Sequence, residues 1–231
     1  MSAALLFDVD GTLADTMGAG KAALAAAMTE VYGETGPVDA YDFHGRTDPE
    51  IVRGLLRAAG RSDADVDRGL GELWPRYLER LGAELTALDG RAVALAGVLI
   101  LLDRLADDER FACGLVTGNL EQGARLKLDA VGCAGRFGFG AYGSDAEQRD
   151  ELPAVALARA KRRYGRTFDP RRSVVIGDTP ADIRCARAAG TRVLAVATGR
   201  HSERELAEHQ PDAVFPDLSD TTRVVEFFSD A

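Results

Sequence analysis

The sequence predicts an α/β fold, a Rossmann-like parallel sheet core with an all-helical segment inserted after its first strand. Several short runs are apolar on both faces, as buried parallel strands are. These runs alternate with segments of helical periodicity, the pattern of a parallel sheet covered by helices. Residues 16–90 interrupt the alternation, because they show helical spacing and no convincing strand. The predicted strands are residues 3–9, 111–116, 173–176 and 192–197.

The predicted helices fall into two groups, which suggests two domains. We expect a core domain of residues 1–15 and 91–231 and a helical domain of residues 16–90, with hinges near 14–16 and 88–91. Turn-like, glycine-containing stretches separate the helices of the insert. The helices expected in the core are residues 98–105, 120–131, 153–164, 181–189 and 202–209, and those of the insert are 21–32, 49–59 and 66–81.

Composition narrows the function classes. The chain has 231 residues and a net charge of −9, which argues against nonspecific binding to nucleic acid or to an anionic membrane. Its apolar runs are far shorter than the ~20 residues of a membrane-spanning helix, and its first residues lack the basic start of a secretory signal. The three cysteines form no CxxC pair and read as buried thiols in a reducing compartment. We therefore expect a cytoplasmic monomer or homodimer that binds neither nucleic acid nor membranes.

Carboxylates gather where predicted strands end. Asp8 and Asp10 follow the first strand, and Asp178 and Asp182 follow the strand at 173–176. In open α/β sheets, ligands bind beyond the carboxyl ends of the strands, so these acids are expected to converge. A cluster of acids repels itself and would raise its own pKa values. A hard divalent cation resolves the repulsion, and Mg²⁺ suits oxygen ligands of this kind and also binds substrate phosphate.

A third strand end offers groups suited to an anion. The strand at 111–116 is followed by Thr117, Gly118 and Asn119, which supply a hydroxyl, a flexible backbone and a helix N-cap. Helix N-termini bind phosphate through free amides and the helix dipole. Each of these short stretches alone is commonly a cap or a turn. Their succession on consecutive strand ends favours a phosphate site beside a metal.

The combination of these motifs resembles the haloacid dehalogenase (HAD) superfamily across nearly all of the α/β part. The sequence DVDGTLAD at residues 8–15 is similar to the first motif of that superfamily, DxDGTxxD. LVTGN at residues 115–119 resembles the second motif, and GDTPAD at residues 177–182 resembles the fourth, GDxxxD. The inserted helices are similar to the C1 cap of the family, and the whole looks most like the phosphoglycolate phosphatases.

The resemblance implies a role for each site residue. Asp8 would attack phosphorus, and Asp10 would protonate the leaving alcohol and then activate the hydrolytic water. Mg²⁺ would be held by Asp8, the Asp10 carbonyl and Asp178, while Asp182 would tune the metal shell or orient the basic residue. Dehalogenases of the superfamily lack the second aspartate and use no metal, so Asp10 favours phosphate chemistry. The phosphoryl group would be bound by Thr117 together with Gly11, Thr12, Gly118 and Asn119.

One departure concerns the third motif, which is normally a lysine before a helix. Residues 143–160 contain no lysine, and the best match is Arg149. Arginine can clamp a phosphate with its planar fork and stays charged; the alternative is a solvated loop arginine. Lys127 and Lys161 are expected to be worse placed, because each lies well inside a predicted helix.

The most informative stretch of the insert is FHGRTD at residues 43–48. In similar proteins this loop faces the core site and helps to choose the substrate. Arg46 could then bind a second anionic group of the substrate, such as a carboxylate. The alternative is a helix-capping loop with an exposed arginine, and the sequence leaves both open.

Three functions are compatible with these motifs. The first is a Mg²⁺-dependent phosphatase of small phosphorylated metabolites that acts through an aspartyl-phosphate. A phosphomutase similar to β-phosphoglucomutase would share the core and differ in the fate of that intermediate. A non-catalytic HAD-like binding protein is the third, favoured by the missing lysine and disfavoured by the presence of all four aspartates.

Overall fold

A six-stranded parallel sheet forms the centre of the computed structural model, which describes residues 3–230. The ends of the predicted core domain, residues 1, 2 and 231, lie outside the described residues. The strands are β1 (Ala3–Phe7), β2 (Ala14–Asp15), β3 (Val93–Ala94), β4 (Phe111–Thr117), β5 (Phe139–Tyr142), β6 (Val174–Gly177), β7 (Arg192–Val196) and β8 (Ala213–Phe215). The order in the main sheet is β5-β4-β1-β6-β7-β8, and β2 and β3 form a separate antiparallel pair. The predicted α/β fold class is confirmed.

Helices cover both faces of the sheet and make up the insert. They are α1 (Ala19–Tyr32), α2 (Asp48–Ala58), α3 (Asp63–Ala87), α4 (Val98–Ala106), α5 (Glu121–Ala130), α6 (Leu152–Tyr164), α7 (Pro180–Ala189), α8 (Glu203–Glu208) and α9 (Thr221–Ser229). In the described part of the chain, no helix is both long and apolar enough to cross a bilayer. The cysteines are unpaired thiols; Cys133 and Cys185 are buried and Cys113 is half-buried.

Strand β1 lies at the middle of the sheet and buries both of its faces. Leu5 and Phe7 pack with α4, α5 and α9, whereas Ala4 and Leu6 pack with α6, α7 and α8. This alternation follows from the two-residue period of a strand and explains the uninterrupted apolar run. Phe7 pairs with Leu115 of β4 and with Ile176 of β6. The three strands are therefore in register at their carboxyl ends, where the polar motifs begin.

The inserted helices have a hydrophobic cluster of their own. It contains Leu24 and Met28 of α1, Val52 and Leu55 of α2, and Leu73 of α3, all fully or almost fully buried. The antiparallel pair β2–β3 joins the two chain connections between the insert and the sheet. The division into a core domain and a helical domain at residues 15/16 and 90/91 stays a prediction.

Five elements were missed by the sequence patterns, and the four strands among them are too short to give a periodic signal. Strands β5 and β8 are short, at four and three residues, and β5 is interrupted by a glycine. The β2–β3 pair has only two residues per strand, too few for a periodic signal. Helix α9 was not predicted although its apolar residues lie on one face. Helix α3 is longer than the predicted 66–81: the Ser62 capping box starts it at Asp63, and it continues to Ala87.

Candidate active site

Buried carboxylates from two strand ends meet at the carboxyl edge of the sheet. Carboxylate oxygens of Asp8, Asp178 and Asp182 all lie within 4.8 Å of one another. The backbone N–H of Asp8 still donates to the carbonyl of Ile176 at 2.9 Å, which holds the residue beside β6. The register of neighbouring strands thus brings Asp8 and Asp178 together, although they are 170 positions apart in the sequence.

Small residues and one hydroxyl make the space in which Asp178 lies. Gly11 has a φ of 77°, and a Cβ there would lie 2.5 Å from Asp178 Oδ2. A Cβ at Gly199 would approach the same oxygen to 1.8 Å, so neither position tolerates a side chain without displacing the carboxylate. The Thr12 hydroxyl donates to Asp178 Oδ1 at 3.1 Å. The turn after the first motif therefore orients the carboxylate of the fourth.

Asp182 has a structural role as well as a place in the acid cluster. It forms a capping box at the start of α7: the Thr179 hydroxyl and N–H donate to Asp182 Oδ2 at 2.6 and 3.0 Å. Its other oxygen, Oδ1, accepts from Arg149 Nη2 at 2.5 Å. The role expected of Asp182, to tune the metal shell or to orient the basic residue, stays a prediction.

Arg149 is buried, so its interpretation as a solvated loop arginine is wrong. It opens a 3-10 turn, Arg149–Glu151, that leads into α6, and it is only 4% exposed. Its Nη2 lies 3.1 Å from Asp8 Oδ1 and contacts Asp182 as well. Within residues 3–230, Arg149 Nε has no hydrogen-bond partner. The guanidinium thus lies between two acids of the cluster, and its Nε–H donor remains available.

The electrostatics of the cluster show an excess of negative charge. Burial raises the pKa of Asp8 to about 6, although Arg149 opposes the shift. Burial, followed by repulsion from Asp182 and Asp8, raises the pKa of Asp178 well above its usual range. Burial lowers the pKa of Arg149, but attraction to Asp182 and Asp8 outweighs it and raises the value. One guanidinium therefore does not neutralise the cluster, and a divalent cation with oxygen ligands fits it.

Asp10 faces a different set of partners from the other acids. Its carboxylate accepts from Lys127 Nζ at 2.7 and 2.9 Å and from Asn119 Nδ2 at 2.7 Å. Burial raises the pKa of Asp10, but the charge and hydrogen bonds of Lys127 outweigh burial and lower it. Asn119 also donates to the Thr117 hydroxyl at 2.8 Å. The Asp10 carboxylate is thus outside the acid cluster; the metal contact proposed for its carbonyl stays a prediction.

Lys127 lies inside α5, as predicted, and contacts Asp10 rather than Asp8, so Arg149 remains the better match to the third motif; the contact of Lys127 with Asp10 was not predicted. Lys127 is 5% exposed, and its Nζ forms an ion pair with the Asp10 carboxylate. It lies on the buried face of the helix with Gly123, Ala124 and Leu128. A lysine within the apolar face of a helix is unusual and was a usable signal. The sequence reasoning missed it by judging only its position along the helix.

The FHGRTD loop of the insert lies directly on the second motif. The Asp48 N–H donates to the Gly118 carbonyl, and the Leu120 N–H donates to Asp48 Oδ2, both at 2.8 Å. A Cβ at Gly118 would lie 2.0 Å from the Arg46 carbonyl, so only glycine allows this approach. The Thr47 hydroxyl accepts from the Glu50 N–H and caps α2. The loop is therefore a helix cap and also a contact with the core.

Arg46 lies at the edge of the site rather than at its base. Its Nε donates to the Asp42 carbonyl at 3.0 Å, and its guanidinium pairs with Glu50 and stacks over the Tyr41 ring. Its side chain is 41% exposed. These contacts favour the capping-loop interpretation, and binding of a second anionic group by Arg46 stays a prediction.

A cavity of about 810 Å³ lies between the insert and the sheet. Asp8, Asp10, Thr117 and Arg149 line its inner end. The insert supplies the other walls, through α1 and the loop before α2. A cavity of this size suits a small molecule, with convergent polar groups at one end. Its outer end is lined by, among others, Lys21, Phe43, His44, Arg46 and Arg200.

Asp48 allows a test of how tightly the loop is docked. Asp48→Ala removes the acceptor for the Leu120 N–H and for the Tyr77 hydroxyl. We expect the free energy of unfolding to fall by about 1–3 kcal/mol, whereas Asp48→Asn keeps an acceptor oxygen and loses less. Chemical denaturation at pH 7 measures both. An unchanged midpoint for Asp48→Ala would contradict the docking described above.

The difference in stability between Asp48→Asn and the wild type is predicted to depend on pH. Burial raises the pKa of Asp48 from 3.8 to about 6, so protonation of this carboxyl adds stability that is complete below the first value and lost as pH rises through the second, separately from the hydrogen bonds that Asp48→Ala removes. Asp48→Asn has no such loss. The stability of Asp48→Asn relative to the wild type should therefore increase across this window, and a constant difference would refute the assignment.

Comparisons with known proteins agree with this architecture. A phosphoglycolate phosphatase from Nitrosospira multiformis is 28% identical over 231 residues, which cover 96% of this chain and 95% of that protein. A point mutant of CbbY from Rhodobacter sphaeroides, solved with xylulose-(1,5)bisphosphate, has a TM-score of 0.73 at 18% identity and covers 95% of this chain and 96% of its own. A putative β-phosphoglucomutase from Bacteroides vulgatus has a TM-score of 0.70 at 21% identity, covering 99% and 89%. At these identities the two structures show the fold alone.

The family model described as haloacid dehalogenase-like hydrolase matches residues 5–196. That range contains the acid cluster, Arg149 and all of the inserted helices. Because the match extends over most of the sequence, from within β1 to the end of β7, the chain belongs to the haloacid dehalogenase-like hydrolases.

Proposed function

We propose that the chain is a Mg²⁺-dependent phosphatase that hydrolyses small phosphate monoesters through an aspartyl-phosphate on Asp8. The observation that carries the proposal is the placement of Asp8. Its carboxylate belongs to a buried acid cluster, contacts Arg149 and lines the cavity beside Thr117. A carboxylate is an accepted nucleophile for phosphoryl transfer, which depends mainly on positioning and charge neutralisation.

The proposed hydrolysis has two steps. In the first, an Asp8 oxygen attacks phosphorus, the bond from phosphorus to the alcohol oxygen breaks, and Asp10 donates a proton to that oxygen. In the second, Asp10 takes a proton from water, whose oxygen attacks phosphorus and releases orthophosphate from Asp8. Bound by Asp8, Asp178 and the Asp10 carbonyl, Mg²⁺ would supply the charge that neutralises these acids and the phosphoryl oxygens.

Arg149 and the second motif hold the reactants in place. Arg149 fixes Asp8 through a charge-assisted contact at 3.1 Å, and Asp182 in turn fixes Arg149. Thr117 is fully buried at the end of β4 and lines the cavity, which supports the proposal that its hydroxyl binds a phosphoryl oxygen. The insert covers this end of the cavity and limits access of water during the first step.

The substrate class follows from the size of the cavity and from the relatives. We infer a small phosphorylated metabolite, with phosphoglycolate as the first candidate because the relative from Nitrosospira multiformis bears that name. Among the cations at the outer end of the cavity, Arg46 and Arg200 are candidates to meet a substrate carboxylate. Both already pair with acids, Arg46 with Glu50 and Arg200 with Asp42, so a second anion would have to compete with those contacts.

Release of orthophosphate from p-nitrophenyl phosphate, with Mg²⁺ and with excess EDTA, tests the function directly. We expect turnover that EDTA abolishes and added Mg²⁺ restores. No metal-dependent release from this or any phosphorylated metabolite would favour the binding protein instead. With a sugar phosphate as substrate, orthophosphate as product supports the phosphatase, and an isomerised sugar phosphate without orthophosphate supports the phosphomutase.

A further inference from the structure

The ammonium group of Lys127 is buried, and each of its N–H donors has an acceptor. Its Nζ lies 2.7 and 2.9 Å from the two Asp10 carboxylate oxygens and 2.6 Å from Asn119 Oδ1. A lysine ammonium has three N–H donors, and here each has an acceptor. No donor is left for a substrate phosphate. Any effect of Lys127 on the reaction must therefore be transmitted through Asp10 or Asn119.

Asn119 strengthens the contact between Lys127 and Asp10, because only one orientation of its side-chain amide gives each neighbouring donor and acceptor a hydrogen-bond partner. Its Nδ2 donates to Asp10 Oδ2 and to the Thr117 hydroxyl, while its Oδ1 accepts from Lys127. Asp10, Asn119 and Lys127 thus form a closed triangle of hydrogen bonds. A closed network of charge-assisted bonds restricts the Asp10 carboxylate to one rotamer.

The inserted helices enclose this triangle. A Cβ at Gly20 of α1 would lie 3.1 Å from Lys127 Nζ and 3.8 Å from the Tyr77 hydroxyl of α3, so the missing side chain makes room for the ammonium. A Cβ at Gly123 of α5 would lie 3.6 Å from Leu81 and 3.8 Å from Leu78, both on α3. The Lys127 side chain is consequently shielded from bulk water, at 6% exposed, whereas the Asp10 side chain is 45% exposed.

We propose that Lys127 is a positioning residue for Asp10, and that it holds the carboxylate in the orientation needed to take a proton from the hydrolytic water. The proposal rests on the phosphatase function and adds a residue that the family motifs do not supply. The cation of the third motif, Arg149, contacts Asp8 and Asp182 instead. The site therefore has two buried cations, one for the nucleophile and one for the proton-transferring acid.

The two reaction steps give the proposal a specific test with Lys127→Met. The p-nitrophenolate leaving group departs without a proton, so the first turnover does not need a well-oriented Asp10. Hydrolysis of the aspartyl-phosphate does need it, and general base catalysis typically contributes about 10²–10⁴-fold. We expect a first-turnover burst of p-nitrophenolate at close to the wild-type rate, followed by a steady-state kcat reduced by about 10–100-fold. Phosphorylated enzyme should accumulate.

Two further variants make the test complete. Lys161→Met changes an exposed lysine on α6 and should leave both phases unchanged. Asp10→Asn should show the same burst and slow phase, and adding Lys127→Met to it should cost nothing more, because residues that act as a unit are not additive. If Lys127→Met does not fold, Lys127→Gln keeps a donor of similar length and is measured instead.

The outcomes distinguish this proposal from the function on which it rests. Loss of Mg²⁺-dependent turnover in the wild type would refute the phosphatase itself. An active wild type with Lys127→Met unchanged in both phases would overturn only the role of Lys127. Equal loss of the burst and of the steady state would also overturn it, because a merely structural defect does not separate the two steps.

Discussion

Asp8→Asn is expected to lower kcat for p-nitrophenyl phosphate by at least about 10⁴-fold, because an amide cannot attack phosphorus and the other groups cannot replace the nucleophile. Asparagine has the same shape as aspartate, and the strand pairing that holds residue 8 uses backbone atoms. The substitution also removes one of three mutually repelling carboxylates. We therefore expect a Tm at least as high as that of the wild type when no divalent cation is present.

The matched control is Asp107→Asn, which changes an exposed carboxylate after the end of α4. It should retain wild-type turnover and Tm. Circular dichroism of both variants establishes that the fold is intact. Substantial turnover by Asp8→Asn, after accounting for deamidation by mass measurement, would remove Asp8 from the role of nucleophile.

Arg149→Met is expected to have the largest effect on stability. Arg149 is the cation in direct contact with both Asp8 and Asp182, and all three side chains are almost completely buried. Breaking a buried ion pair by removing one partner leaves an uncompensated charge and typically costs about 3–5 kcal/mol. We expect a loss of this size in the free energy of unfolding, measured by chemical denaturation in the presence of EDTA.

Added Mg²⁺ should reduce that loss. A cation bound to the folded state stabilises it by mass action, and in Arg149→Met it also replaces part of the missing positive charge. Arg171→Met is the matched control, since Arg171 is 86% exposed and pairs with Asp169 at the surface. Exposed substitutions usually change stability by no more than about 0.5 kcal/mol. If Arg149→Met were no more destabilising than this control, the buried charge balance described for the cluster would be incorrect.

The sequence was sufficient for the sheet core and for the convergence of the strand ends. Buried parallel strands leave uninterrupted apolar runs, and polar residues that follow such runs in register must lie at one edge of the sheet. Asp8 and Asp178 were brought into one cluster by this reasoning alone. Short strands such as β5 and β8 were not predicted, because three or four residues carry too little periodicity to distinguish a strand from a loop.

The side-chain partners were harder to predict than the backbone. Whether Arg149 is buried depends on how the turn before α6 packs against α7, which is a tertiary contact with no local signal. Lys127 was rejected because it lies inside a helix, yet a helix that packs on the site directs its buried face into it. The useful rule is that a charged residue on an apolar helical face needs a buried partner. Applied to α5, it points to an acid at a strand end.

Phosphorylation of Asp8 is the central claim, and mass spectrometry of the acid-quenched enzyme tests it most directly. Asp10→Asn, incubated with Mg²⁺ and p-nitrophenyl phosphate, should slow hydrolysis enough for one phosphate per chain to be trapped. We predict that the added phosphate lies on Asp8 in the peptide from the end of β1, and that it is missing when Mg²⁺ is replaced by EDTA. A phosphate on any other residue, or turnover without a phosphorylated peptide, would contradict the account.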